Sequence, residues 1–154
     1  MTPATNTRTS ASAAASPVER DVIANGMRLH YLEWPLQGGD VLILLHGGGL
    51  SAHTWDVIAA DLADRYHCYA LDLRGHGDSE WSPTLEYNID AHAHDLEGFV
   101  DHLGFDRFLL LGHSLGAFTA LRYAIPRSNQ IAGLVIVDAT PFVNQTDEVD
   151  RLRK

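Results

Sequence analysis

Apolar positions along this chain fall into two regimes. Val41–Leu45, Phe108–Leu111 and Ile131–Val137 are runs without a polar face, and they predict strands buried on both sides of a parallel sheet. Cys68–Leu73 predicts a further strand, ending in the turn-rich Arg74-Gly75-His76-Gly77-Asp78-Ser79. Elsewhere the spacing becomes helical. Ile89, Ala93, Leu96, Val100 and Leu103 recur at intervals of four and three and predict a helix over 88–103. Asp90, His94, Asp95, Glu97 and Asp101 are expected on its solvent face, Asn88 as its cap and Gly104 as its stop. Shorter helices are expected around 55–63 and over 115–125, the second stopped by Pro126. Near the N-terminus, Asp21–Ala24 and Met27–Trp34 flank Asn25-Gly26, the strongest short hairpin signal, and Pro35 with Gly38-Gly39-Asp40 ends the second strand. Strands alternating with helices in this way predict an α/β protein with a largely parallel sheet.

Composition narrows the function classes. A chain of 154 residues has room for one domain that buries about 68–70% of its unfolded surface. Eleven basic against 20 acidic residues, with no basic block, argue against nucleic acid or an anionic membrane as partner. Cys68 is the single cysteine, so no internal disulfide forms. No apolar run reaches the ~18 residues of a membrane span. Residues 1–17, rich in Thr, Ala, Ser and Pro, lack the apolar centre of a signal peptide; they are expected to be a disordered tail before a domain over 18–154, with a cytoplasmic location as the default.

The candidate chemistry centres on Gly112-His113-Ser114-Leu115-Gly116, between an apolar strand and a helix-forming segment. A serine on so sharp a turn presents its hydroxyl above the sheet, and the flanking glycines admit the close approach of neighbouring backbone. Ser114 is the expected nucleophile. The loop His46-Gly47-Gly48-Gly49 follows another apolar strand; it lacks the Lys-Ser/Thr ending of a phosphate loop and the glycine spacing of a dinucleotide site. Nine histidines invite a metal reading, yet His92 and His94, two apart on a helix, point about 200° from each other and cannot share an ion. No metal and no cofactor are expected.

Taken together, His46-Gly47-Gly48-Gly49 with Trp55 nine residues beyond the histidine, Asp72-Leu73-Arg74-Gly75-His76-Gly77-Asp78-Ser79, and Gly112-His113-Ser114-Leu115-Gly116 resemble, in content and order, the α/β-hydrolase superfamily. The resemblance covers roughly residues 20 to 141. It implies an acyl-enzyme on Ser114, with the oxyanion held by backbone N–H groups of Leu115 and Gly48. It implies turn-shaping roles for His46, Gly47, Gly49 and His113, and a structural role for the Arg74–Ser79 segment. A serine at the nucleophile position argues against the dehalogenase and epoxide-hydrolase branches, which use aspartate there.

A serine nucleophile needs a histidine oriented by a carboxylate, and in this superfamily the order along the chain is Ser, acid, His. No histidine follows Ser114. Asp138, at the end of a strand beside the nucleophile strand, is the one candidate acid, since some relatives take theirs from that place. The chain is therefore expected to be the N-terminal part of the fold, without cap or C-terminal strands. The sheet edge at Ile131–Val137 would then be open unless a partner or missing segment covers it. The expected substrate is a small molecule with an ester, thioester, lactone or activated carbon–carbon bond. The alternative is a non-catalytic protein of this fold that binds a ligand or partner.

Overall fold

The computed structural model describes residues 16–139. Residues 1–15 of the tail expected over 1–17, and the charged C-terminal stretch, lie outside them. Six strands form one sheet in the order β1-β2-β4-β3-β5-β6: β1 Val18–Ala24, β2 Met27–Trp34, β3 Asp40–Leu45, β4 Tyr66–Leu71, β5 Phe108–His113 and β6 Ile131–Val137. Strands β1 and β2 are the antiparallel hairpin expected at Asn25-Gly26, where φ of 51° and 80° makes the tight turn. Strand β2 runs antiparallel to β4, and β4, β3, β5 and β6 run parallel. Strand β4 ends two residues earlier than its apolar pattern predicts, because Asp72 and Leu73 turn off into hydrogen bonds with other loops.

Alternate residues of the central strands feed opposite cores. Ile43, Leu45, Tyr69, Leu71, Phe108 and Leu110 pack against helices α2 (Ile89–Leu103) and α3 (Leu115–Ala124). Leu42, Leu44, Cys68 and Ala70 pack against Trp55 and Ala59, beside and within helix α1 (Asp56–Leu62). The chain thus leaves β3 towards one face of the sheet and β5 towards the other. Neighbouring strands whose exits diverge in this way open a crevice at their carboxyl ends. The glycine loop follows β3 and Ser114 follows β5, so both stand at that crevice.

Helix α2 has the expected boundaries. Asn88 Oδ1 accepts from the Ala91 N–H at 2.9 Å, and Gly104, at φ 72°, returns its N–H to the Val100 carbonyl. Its polar face departs from expectation, because Asp95 is buried rather than solvated. Arg74 folds in from the loop after β4 and pairs with both Asp95 oxygens at 2.6 Å. Helix α3 ends at Ala124, and Pro126 sits within a following 3₁₀ turn (Ile125–Gln130). Strand β6 also corrects its expected double burial. Ile136 packs against the core on the α3 side, but Val135 and Val137 are 51% and 41% exposed among the described residues.

Candidate active site at the strand ends

Two glycines of the β5–α3 turn are required by close backbone approach. A Cβ at Gly112 would lie 2.3 Å from the Gly116 carbonyl oxygen, and one at Gly116 would lie 2.4 Å from the Leu45 carbonyl oxygen. The turn is therefore wedged against the end of β3, and Gly116 N–H donates to the His46 carbonyl at 3.0 Å. Between the glycines, Ser114 takes φ 49° and ψ −111°, a conformation unusual for a residue with a Cβ. Its N–H donates to the Val137 carbonyl at 2.9 Å, and its carbonyl accepts from Ala117 and Phe118 at the start of α3. The side chain caps nothing on the helix, which leaves the half-buried hydroxyl available.

The glycine loop lies directly against this turn. A Cβ at Gly47 would fall 3.4 Å from Ser114 Cβ, and one at Gly48 would fall 4.0 Å from Leu115 Cδ2. The backbone at Gly48 thus lies beside the Leu115 side chain. Leu115 opens α3, so its N–H has no intrahelical acceptor and carries the positive end of the helix dipole. Gly49, at φ 73°, makes the turn that sends Leu50 N–H back to the Gly47 carbonyl at 3.2 Å.

His46 is fully buried. Its Nε2 accepts from the Leu73 N–H at 3.0 Å, so the proton lies on Nδ1, which donates to the Gly47 carbonyl at 2.8 Å. Burial pushes its pKa below the ordinary imidazole range, with neighbouring His76 acting in the same direction. With both nitrogens engaged, His46 tethers the glycine loop to the β4 loop. His113 runs its ring along Gly47, where a Cβ would come within 2.6 Å of Nδ1. Its Nε2 faces Asp138 Oδ2 at 3.6 Å, and the Asp138 side chain is 79% exposed.

Beneath the crevice, Asp72 is a buried hydrogen-bond hub. Oδ1 accepts from the Ala52 N–H at 2.6 Å, and Oδ2 meets His30 Nδ1 at 2.8 Å and the Asp78 N–H at 3.0 Å. Among the described residues, His30, Asp72 and Asp78 are the one grouping with metal-ligand chemistry. The engaged Asp72 oxygens make it a loop anchor rather than an open cation nest. His92 was not singled out as a buried group from the sequence. It is almost fully enclosed, its Nδ1 has no partner among the described residues, and burial with the nearby Arg74 cation pushes its pKa down to about 4. The signal that would have found it is its place one turn before Leu96 on the helix.

A six-stranded mixed sheet with helices on both faces and a glycine-flanked serine at the strand ends defines the α/β-hydrolase architecture. The chain belongs to that family: the model of the alpha/beta hydrolase fold matches residues 40–154. N-formylmaleamate deformylase of Pseudomonas putida is 42% identical over 118 residues, 77% of this chain and 44% of the relative. Among solved structures, a serine-to-alanine variant of N-formylmaleamic acid deformylase from Pseudomonas putida S16 superposes with a TM-score of 0.70 at 34% identity, over 77% of this chain and 46% of that one. Epoxide hydrolase A from Mycobacterium thermoresistibile does so with a TM-score of 0.78 at 30% identity, over 89% and 45%. The chain therefore spans less than half the length of these relatives. No helix among the described residues is long and apolar enough to cross a membrane.

Proposed function

We propose that this chain carries the nucleophile and oxyanion portion of a serine hydrolase. In this reading Ser114 Oγ bonds to an acyl carbon, the carbonyl oxygen takes up negative charge between the Gly48 and Leu115 N–H groups, and the leaving group departs with a proton. The acyl-enzyme is then released by water. The reading rests on one observation above the others: Ser114 holds φ 49° between two glycines that no larger residue can replace without meeting backbone. Such strain is kept where the surrounding structure enforces it, and it clusters at functional sites.

The bond cleaved is an ester, thioester, lactone or activated carbon–carbon bond in a small molecule. Similarity to N-formylmaleamate deformylase adds a formyl–nitrogen bond to these candidates. Asp138, at the end of β6, is the candidate acid, whereas His46 is committed through both ring nitrogens to the glycine loop and the loop after β4. The second reading is a ligand- or partner-binding protein that keeps the fold without its chemistry.

Fluorophosphonate labelling separates the two. Labelling of the wild-type chain that disappears in Ser114→Ala is the result expected of an activated nucleophile. A folded wild-type chain that takes up no label overturns serine catalysis by this chain standing alone and leaves either a part of a larger hydrolase or the binding reading.

A further inference from the structure

The glycine loop is clamped at its two ends by consecutive residues of the loop after β4. Leu73 N–H donates to His46 Nε2 at 3.0 Å, and Asp72 Oδ1 accepts from the Ala52 N–H at 2.6 Å. Residues 47–51 bridge these two anchors. Ala52 opens a 3₁₀ turn (Ala52–Trp55), so its N–H has no acceptor within the turn, and the Ser51 side chain makes no cap. The Asp72 carboxylate supplies that acceptor. Its second oxygen accepts from His30 Nδ1 at 2.8 Å and from the Asp78 N–H at 3.0 Å. Ser79 locks the backbones of the pair together, since its Oγ accepts from the His30 N–H at 2.9 Å and donates to the Asp72 carbonyl at 2.6 Å. His30 and Asp72 are both buried, so an enclosed chain of hydrogen bonds runs from β2 to the far end of the glycine loop.

We propose that Asp72, held in place by His30, is a positioning residue for the oxyanion loop: the pair sets where residues 47–51, Gly48 among them, stand against Ser114 and Leu115. This inference rests on the reading of Ser114 as nucleophile. Both side chains act through the Ala52 N–H and not on a substrate. A hydrogen bond to an ionised carboxylate is stronger than one between neutral groups. Without His30 the carboxylate is free to turn away from Ala52, which relaxes the loop, and small displacements around a reacting centre cost reactivity. Because a carboxylate only accepts, the pairing predicts a proton on His30 Nδ1.

Two replacements of His30 test this. His30→Asn offers an amide N–H where Nδ1 stands, whereas His30→Leu fills the space without a donor. Nitrogen-15 NMR of the wild-type 154-residue chain is expected to find the proton on His30 Nδ1, with the Ala52 amide proton shifted downfield by its short bond to the carboxylate. In His30→Leu the Gly48, Gly49 and Ala52 amide signals are expected to move, and fluorophosphonate labelling of the folded chain to slow about tenfold. His30→Asn should recover most of both. A bare Nδ1 in the wild type overturns the proposal, whether or not any variant folds. So do loop signals that stay in place in His30→Leu, or a loss that His30→Asn does not recover. A His30→Leu chain that is less stable in urea yet labels at the wild-type rate while folded also overturns it, being the result of a purely structural pair. A wild-type chain that takes no label defeats the nucleophile reading alone, since the Nδ1 proton and the loop signals still decide whether the pair positions the loop.

Discussion

Ser114 sits where a side chain is costly: its φ and ψ of 49° and −111° favour glycine, and its neighbours close the turn against the Leu45 and His46 carbonyls. Conformations of this kind cost about 1–3 kcal/mol. Replacing Ser114 should therefore separate stability from chemistry. Ser114→Ala keeps the strain and removes the hydroxyl. Ser114→Gly removes both, less the extra chain entropy of glycine, about 0.4–1 kcal/mol. Urea unfolding is expected to find the glycine variant about 1 kcal/mol more stable than the alanine variant, while both lack serine labelling. Equal midpoints for the two would mean that the turn stores no strain at this residue. This part of the site was legible in the sequence because a glycine on each side of a serine, after an apolar strand, has a local steric cause. The His113–Asp138 contact was not, because it depends on which strand lies beside β5 and in what register.

At the scale of the element, α2 shows how far a helical period can be read. Its cap, its stop and its Ala93, Leu96 and Val100 stripe are local properties, and all agree with the sequence. A carboxylate at the angle of Asp95 on the helix is ordinarily solvated; its burial depends on Arg74, 21 residues away, whose place only the folded loop decides. Strand β6 fails in the opposite direction. An apolar run looks the same whether or not another layer covers it, and Val135 and Val137 lack such cover among the described residues. The Arg74–Asp95 pair also carries a prediction. Removing one partner leaves the other buried charge uncompensated, which typically costs about 3–5 kcal/mol, whereas an apolar pair of similar volume is often neutral. Asp95→Ala is thus expected to lower stability by about that amount in urea unfolding. The double variant Arg74→Met with Asp95→Leu should recover most of it, although Arg74 also donates to the Glu86 carbonyl. A double variant as unstable as the single one would show that this second contact, rather than charge pairing, is what α2 requires.

For the molecule as a whole, three segments converge on a group of histidines, two of them buried. The rings of His46 and His76 lie 5.1 Å apart, and those of His76 and His92 lie 6.5 Å apart, so the glycine loop, the β4 loop and α2 meet there. The two buried rings resist protonation. His46 does so chiefly through burial, and His92, pushed down to about 4, through burial and the Arg74 cation. The ordinary imidazole value in an unfolded chain is about 6.5, so between about pH 4 and 6.5 the unfolded chain binds more protons at His92 than the folded one, and His46 acts in the same direction below about 6.5. Stability must then rise with pH across that window and fall on acidification, by up to about 1.4 kcal/mol per pH unit for each group. His53 acts in the opposite sense, since its hydrogen bond to Asp56 raises its pKa, but it lies at the surface, where solvent weakens the effect. Glu33, held below the usual carboxylate range by Arg20 and His67 against the cost of its own burial, adds to acid sensitivity mainly below the histidine window. His92 is the position that tests this account, because its Nδ1 has no partner among the described residues and only a contact with the Tyr87 backbone is lost with the ring. His92→Leu is expected to flatten the dependence of the urea midpoint on pH between about 6.5 and 4 while costing about 1 kcal/mol at neutral pH for the lost hydrogen bond. If the slope survives in that variant, His46 and the carboxylates carry the acid sensitivity, and the enclosed His92 ring is a packing element alone.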